Sequence, residues 1–268
     1  MRLAALPALA LALVAAGCGA RARVAAPPPA TRPATRPQPK PKPVVVVSDR
    51  RPLSARRCTT GTRSLGSPRV AYVGLAARGA VAYRVPGRSV MARFGSENQN
   101  GYPTFLAVLG ARSGCGARWY RVQLPIRPNG AIGWVRAAAL QLHAVHTRIE
   151  VDLSRRQLTL FDRGRRIFTA TVAVGSPATP TPIGRYYVNQ RLVPDDPNGP
   201  YGPAALGVSA FSPVLTGWAQ GGPIGIHGTN EPWSIGHAVS NGCIRLPNAT
   251  LARLFRVAVA GTPVVIHP

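Results

Sequence analysis

A histidine and a cysteine with small neighbours carry the chemistry that this sequence offers. His227 closes the apolar run Ile224-Gly225-Ile226, and Cys243 ends the turn-like string Ser240-Asn241-Gly242-Cys243, with Arg245 two positions on. The two reactive residues lie sixteen positions apart (243 − 227), enough chain for a loop to bring one back beside the other. A thiol attacks a carbonyl as thiolate, the form that a histidine or a local positive field favours near neutral pH. Taken singly, such a cysteine is ordinarily a small buried hydrophobe, and such a histidine a satisfied core or surface residue. Their conjunction with Gly228, Gly242 and a nearby cation points to acyl transfer. Glycine lets backbone N–H groups reach an oxyanion with no Cβ in the way. His227 is then the base, Cys243 the nucleophile, and the amides around Gly242 and Cys243 the oxyanion donors. Arg245 presents a planar fork suited to a substrate carboxylate; the alternative is a solvated arginine on the following strand. Ser240, as a donor near the thiol, and Asn241 are further candidate substrate contacts.

The string HGTNEPWSIGHAVSNGCIR resembles the active-site signature of the L,D-transpeptidase catalytic domain, the YkuD family. Upstream, Thr181-Pro182-Ile183-Gly184 resembles that family's TPxG segment, so the likeness covers about residues 146–268. One departure stands out: Asn241 occupies the place where many members carry a second histidine, which leaves His227 as the base. His237 is not at the matching position and reads as a loop residue. The resemblance implies a β-sandwich-like domain and a thioester formed on Cys243 by a peptidoglycan stem peptide. The donor would be a tetrapeptide cleaved at an L,D bond after a diaminopimelate-type third residue. Transfer to an amine would cross-link the wall, whereas transfer to water would make a carboxypeptidase. It further implies that the Gly228 carbonyl orients the imidazole, that carbapenem-type β-lactams acylate Cys243, and that no cofactor or metal is needed.

Rival chemistries fit less well. Papain-like cysteine peptidases place the cysteine before the histidine, the reverse of the order here. A zinc site on Cys243, His227 and His237 lacks the usual paired spacing. Asp195, Asp196 and Asn198 do not have the ligand spacing of a calcium loop. A wall-binding protein without catalysis remains the alternative from a different class, although every acting residue is present.

The rest of the chain must position and deliver this site. With 268 residues, 28 Pro and 28 Gly, the sequence suits a turn-rich, mainly β chain with room for one large or two modest domains. Its net charge of +25, from 33 Lys and Arg against 8 Asp and Glu, should draw it to polyanions. The arginines are spread evenly and no nucleic-acid-binding motif appears, so an anionic cell envelope is the expected setting and specific nucleic acid is not an expected partner. Residues 1–18 have the layout of a secretory signal ending in Ala15-Ala16-Gly17-Cys18. This resembles a lipoprotein box, with Ala15 where leucine is usual, and predicts a lipid anchor on Cys18 that holds an exported protein at the membrane. Residues 19–47 form a Pro- and Arg-rich linker of extended character. Ordinary cleavage at the signal and an untuned tail are the plainer alternatives.

Residues 48–142 alternate short β-like runs with turns such as Pro86-Gly87 and Asn129-Gly130. Trp119-Tyr120-Arg121-Val122 with Gly133-Trp134-Val135 resembles a bacterial SH3-like barrel, which implies binding rather than chemistry. Cys58 and Cys115, left over in an exported chain, are expected to pair as a disulfide. In residues 146–268, His146–Asp162 reads as a hairpin and Ile224–His227 as a strand that delivers the histidine. Pro194–Ala205 reads as an irregular loop, a lid or a plain surface segment. Asn248 reads as the N-cap of one short helix through about Arg256, with Leu251, Leu254 and Phe255 on its buried face. The expected architecture is therefore mainly β: a small SH3-like barrel, then an L,D-transpeptidase β-sandwich-like domain with one short helix, acting as a monomer.

Overall fold

The computed structural model describes residues 61–114 and 116–268. The expected signal and linker, Cys18, Cys58 and Cys115 lie outside the described residues, as does the disulfide expected of the last two.

The described chain is mainly β, with one α-helix. Its first eight strands are β1 (Thr62–Ser64), β2 (Ala71–Leu75), β3 (Ala80–Val85), β4 (Arg88–Phe94), β5 (Phe105–Gly114), β6 (Ala117–Gln123), β7 (Ile132–Arg136) and β8 (Gln141–Val145). They form one sheet in the order β4-β3-β7-β6-β5-β2-β8, with β1 on β5, and every pairing is antiparallel. The Pro86-Gly87 turn makes the β3–β4 hairpin, with Gly87 at φ 75°. Strand β4 escapes the hydrophobic pattern because Arg88, Ser89 and Val90 are all exposed. Leu106, Val122, Leu124 and Val135 are fully buried in this sheet's own core. β8 carries the first sheet to Val145, so only His146 separates it from the second.

The second sheet begins with β9 (Thr147–Asp152), β10 (Gln157–Asp162) and β11 (Arg165–Thr171). A short β12 (Val174–Gly175) follows, then β13 (Gly184–Leu192), β14 (Ala205–Phe211) and β15 (Pro223–His227). Last come β16 (Ala238–Ser240), β17 (Ile244–Arg245), helix α1 (Asn248–Val257) and β18 (Pro263–His267). The order is β11-β10-β9-β18-β13-β14-β15-β17, with β12 and β16 pairing apart as a two-stranded ribbon. Two neighbours run parallel, β18 with β9 and β15 with β17. Ile149, Val151, Leu206, Ile226, Ile244 and Val264 form a core into which α1 packs Leu251 and Leu254. Phe255 is partly buried on the same cluster.

Asn248 does not cap its own helix. It is the first helical residue after Pro247, which makes no side-chain cap. Its Oδ1 instead accepts the Thr229 N–H at 2.8 Å, tying the helix start to the segment after His227.

The two sheets pack on one another. Tyr187, 1% exposed, donates its hydroxyl to the Phe105 carbonyl, and Gln123 Nε2 donates to the Arg185 carbonyl at 2.6 Å. Gly261, at φ 88°, approaches Val73 so closely that a Cβ would lie 2.4 Å from it. Asn129 pairs with the backbone of Phe211 through both ends of its amide, at 2.8 and 2.9 Å, as a strand neighbour would.

Candidate active site

Register puts the reactive residues on one face. β15 and β17 are parallel neighbours with Ile226 opposite Ile244 and His227 opposite Arg245. Side chains alternate along a strand, and Ile224, Ile226, Ile244 and Leu246 are all buried in the core. Gly225, His227, Cys243 and Arg245 therefore share the other face. One step back from the Ile226–Ile244 pair sets Cys243 beside Gly225. The sixteen-residue spacing has a plain cause: parallel neighbours need a crossover of a dozen or more residues. Here the crossover contains β16 and a short 3-10 turn, Pro232–Ser234.

His227 is 4% exposed, and its Nδ1 lies 2.6 Å from the Gly228 carbonyl oxygen. A carbonyl only accepts, so Nδ1 carries the proton and Nε2 keeps its lone pair. The Tyr201 ring meets the imidazole edge-on at 5.0 Å between centroids. Burial pushes His227 down to about 4, against the pull of the Gly228 hydrogen bond and with a further push from the Arg245 guanidinium. At Cys243, a free thiol of a partly exposed residue, dense packing around the sulfur pushes the pKa up from 9.0. The Gly225 backbone hydrogen bond and Arg245 oppose that rise without cancelling it. Burial thus favours the neutral thiol beside the neutral imidazole, so that the thiolate forms as the proton moves to Nε2. Alkylation of Cys243 by iodoacetamide should accordingly keep rising past pH 9, with a midpoint above that of a free cysteine. A profile that plateaus below pH 8 would contradict this.

The turn holding the sulfur is braced from within. Ser240, 2% exposed, donates its hydroxyl to the Cys243 carbonyl at 2.6 Å and accepts the Gly242 N–H at 3.2 Å. The hydroxyl is buried, and both of its hydrogen bonds are made inside the turn. The same bond engages the Gly242 N–H in the free protein. Gly242 sits at φ 108°, a conformation that glycine alone adopts readily. Its carbonyl accepts from Thr181 Oγ1 at 2.9 Å, and Thr181 Oγ1 in turn accepts the Gly175 N–H at 2.8 Å. Thr179 Oγ1 donates to the Ser240 carbonyl at 2.9 Å. The Thr-Pro segment is thus a clamp on the cysteine turn. Asn241 is exposed at the tip of that turn.

Arg245 is paired with Glu231, a partner that no sequence pattern singles out. The Arg245 side chain is 18% exposed and that of Glu231 44%, so a ligand carboxylate can reach the guanidinium only by displacing or joining Glu231. Tyr201, too, went unseen in the sequence, where only its place in the 194–205 loop hinted at it. His237 is exposed. Among the described residues, no three His, Cys, Asp or Glu side chains converge to hold a metal ion.

Comparison with known proteins places this geometry. The model of the YkuD L,D-transpeptidase catalytic domain matches residues 146–266. YkuD of Bacillus licheniformis is 40% identical over 121 residues, covering 45% of this chain and 66% of that protein. YkuD of Bacillus subtilis strain 168 is 36% identical over 125 residues, covering 47% of this chain and 68% of that protein. The chain thus spans about two thirds of the length of these curated relatives. Among solved structures, the catalytic domain from Enterococcus faecium L,D-transpeptidase aligns at 26% identity, over 45% of this chain and 96% of that one, with a TM-score of 0.34. With the family model matching residues 146–266 and 36% identity to YkuD of Bacillus subtilis over 68% of that protein, the chain belongs to the YkuD family.

Proposed function

We propose that the protein is a peptidoglycan L,D-transpeptidase acting through a thioester on Cys243. The observation that carries this reading is the placement of His227 and Cys243 on one face of parallel neighbours, with Nδ1 held by Gly228 and Nε2 unprotonated.

Sγ attacks the carbonyl of the third stem residue as its proton passes to Nε2. The carbonyl π electrons move to oxygen, and backbone amides at the cysteine turn stabilise that oxyanion. Gly242 joins them once its N–H leaves Ser240. Collapse breaks the bond to the fourth residue, whose nitrogen takes the proton from the imidazolium and departs as an amine. An acceptor amine then attacks the thioester, giving its proton to Nε2, and the thiolate regains that proton as the new amide forms. Arg245 receives a stem carboxylate in exchange for Glu231. Water in place of the amine gives the carboxypeptidase reaction, a second outcome of the same intermediate. A wall-binding protein without catalysis is the remaining alternative.

The protein acts at the exported face of the cell envelope. Residues 1–18 serve as a signal, Cys18 carries the lipid, and residues 19–47 form the tether. Residues 48–142 serve as an SH3-like wall-binding module, pinned by a Cys58–Cys115 disulfide, and residues 146–268 carry the chemistry. Incubation with tetrapeptide muropeptides, read by mass, tests the reading. A dimer product means transfer and a tripeptide means hydrolysis. No covalent adduct on Cys243 with either the muropeptide or a carbapenem overturns the acyl-transfer assignment.

A further inference from the structure

Charge is divided unevenly along the described chain. Residues 61–145 hold eleven arginines and one carboxylate, Glu97, whereas residues 146–268 hold eleven arginines and six carboxylates. Every ion pair among the described residues lies in the second group. The first sheet therefore carries its cations uncompensated, and its register gathers several of them on one face. Ala80, Ala82, Tyr120 and Val135 belong to the core of this sheet. Side chains alternate along a strand, so Val81, Trp119 and Arg136 lie on the opposite face. Val81 pairs with Arg93 of β4 and, one step beyond the Ala82–Val135 pair, stands opposite Arg136 of β7. Arg136 pairs in turn with Trp119 of β6, and Trp119 with Arg112 of β5. Paired residues point to the same side of a sheet. Arg93, Arg136 and Arg112 thus form a row across the strands, each two strands from the next and about 19 Å from end to end.

None of the three is neutralised among the described residues. The arginine side chains that donate hydrogen bonds there are those of Arg127, Arg148, Arg191 and Arg245. Arg136 lies over the Trp119 ring at 5.4 Å, a contact that fixes its place and leaves its charge unpaired. At one end the row is hollowed into a cleft of about 420 Å3, lined by Arg93, Arg136 and Tyr83 and by Arg78 from the β2–β3 turn. The three arginines of the cleft are exposed, and no carboxylate or carboxamide lines it. Glu97 borders the neighbouring cleft, which Arg93 also touches, and joins no ion pair among the described residues. Like charges gathered without an acid repel one another, and a bound anion removes that repulsion.

The surroundings narrow the kind of anion. A phosphate offers oxygens in several directions to guanidinium groups around a cleft, whereas a carboxylate presents one planar edge that a single fork fills. Trp119, the row's one ring, is 9% exposed and packed edge-on against Tyr83, a poor platform for a stacked nucleobase. No residue of the row is an exposed apolar side chain of the kind that enters a bilayer. We infer that the row docks a linear envelope polymer with a phosphodiester in each repeat. One phosphate sits in the Arg78–Arg93–Arg136 cleft and the chain runs over Arg136 toward Arg112. The inference gives the wall-binding role proposed for residues 48–142 its partner and rests on that reading, not on the acyl transfer.

The test titrates the full chain with poly(glycerol phosphate). Glutamine at Arg93, Arg112 and Arg136 together should weaken binding about tenfold, the sum of three exposed contacts. Glutamine at Arg165, Arg166 and Arg256, exposed on the second sheet and its helix, removes the same charge and should cost about twofold or less. Lysine at the three row positions keeps the charge and should stay within about threefold of the parent. Equal losses in the row and control variants mean attraction to net charge alone and overturn the inference. So does a lysine variant as weak as the glutamine one, since the arginines then act only through packing. A row-dependent loss of the same size on oligothymidylate, or on vesicles of anionic phospholipid, gives the surface to nucleic acid or to membrane and overturns it as well. Sacculi separate this partner from the wall-binding role: equal binding to native sacculi and to sacculi stripped of phosphate polymers keeps that role and sinks the partner. Binding to neither sinks both.

Discussion

Substituting glutamine for His227 is expected to slow acylation of Cys243 by about 100- to 10,000-fold, the range for loss of a positioned general base, read as the rate of mass gain on the intact protein. Glutamine keeps an N–H that can be offered to the Gly228 carbonyl but has no basic nitrogen to turn toward sulfur. The loss should be large because the structure holds no reservoir of thiolate: burial raises the Cys243 pKa in spite of Arg245. If the substitution costs less than tenfold, the thiolate forms without the imidazole and the neutral-pair mechanism fails. The same variant should change how stability depends on pH. His227 titrates at about 4 in the folded chain against 6.5 as its ordinary value. Between those values the unfolded chain holds a proton that the folded chain does not, so stability rises with pH across that window and is lost on acidification. The difference corresponds to about 3 kcal/mol, and urea unfolding at pH 7 and pH 4.5 should show most of it in the parent and none of this contribution in the glutamine variant.

The parts of this site that could be read in advance were those written in local pattern. An apolar run ending in histidine and a cysteine among small residues announce themselves, and register alone then sets His227 against Arg245. The helix face of Leu251 and Leu254 follows from period. What stayed hidden depends on sums over the folded chain. The nearby cation that lowers the Cys243 pKa is visible in sequence, and the burial that raises it is not. Ser240 is near the thiol in sequence, but the direction of its hydroxyl is set by the turn. Glu231 meets Arg245 only because the crossover brings residues 231 and 245 together. Strand β14 follows a proline-rich loop and contains Gly207, and its alternation at Leu206, Val208 and Ala210 is short and mostly of small residues, so its pairing with β13 and β15 is what defines it.

Thr181 was visible only as part of a motif, and the structure gives it a physical task whose loss should be costly. Its hydroxyl, 2.9 Å from the Gly242 carbonyl and 2.8 Å from the Gly175 nitrogen, joins the Thr-Pro segment to the turn that holds the nucleophile. Thr181 is 4% exposed, so water cannot take over these bonds freely. Thr181→Val keeps the shape and leaves one buried acceptor and one buried donor unpaired, at about 1–3 kcal/mol each. A total of roughly 2–6 kcal/mol should appear as a lower urea midpoint. Acylation should also slow in the fraction that remains folded, because the carbonyl of Gly242 is then free to turn and the sulfur to move with it. Thr181→Ser separates bonding from packing. It retains the hydroxyl and removes one methyl, for about 1 kcal/mol, so acylation should stay close to that of the parent although stability falls slightly. Were valine to match serine in both midpoint and acylation rate, the clamp would be mere filling, and the turn would owe its shape to Ser240 and the positive φ of Gly242 alone.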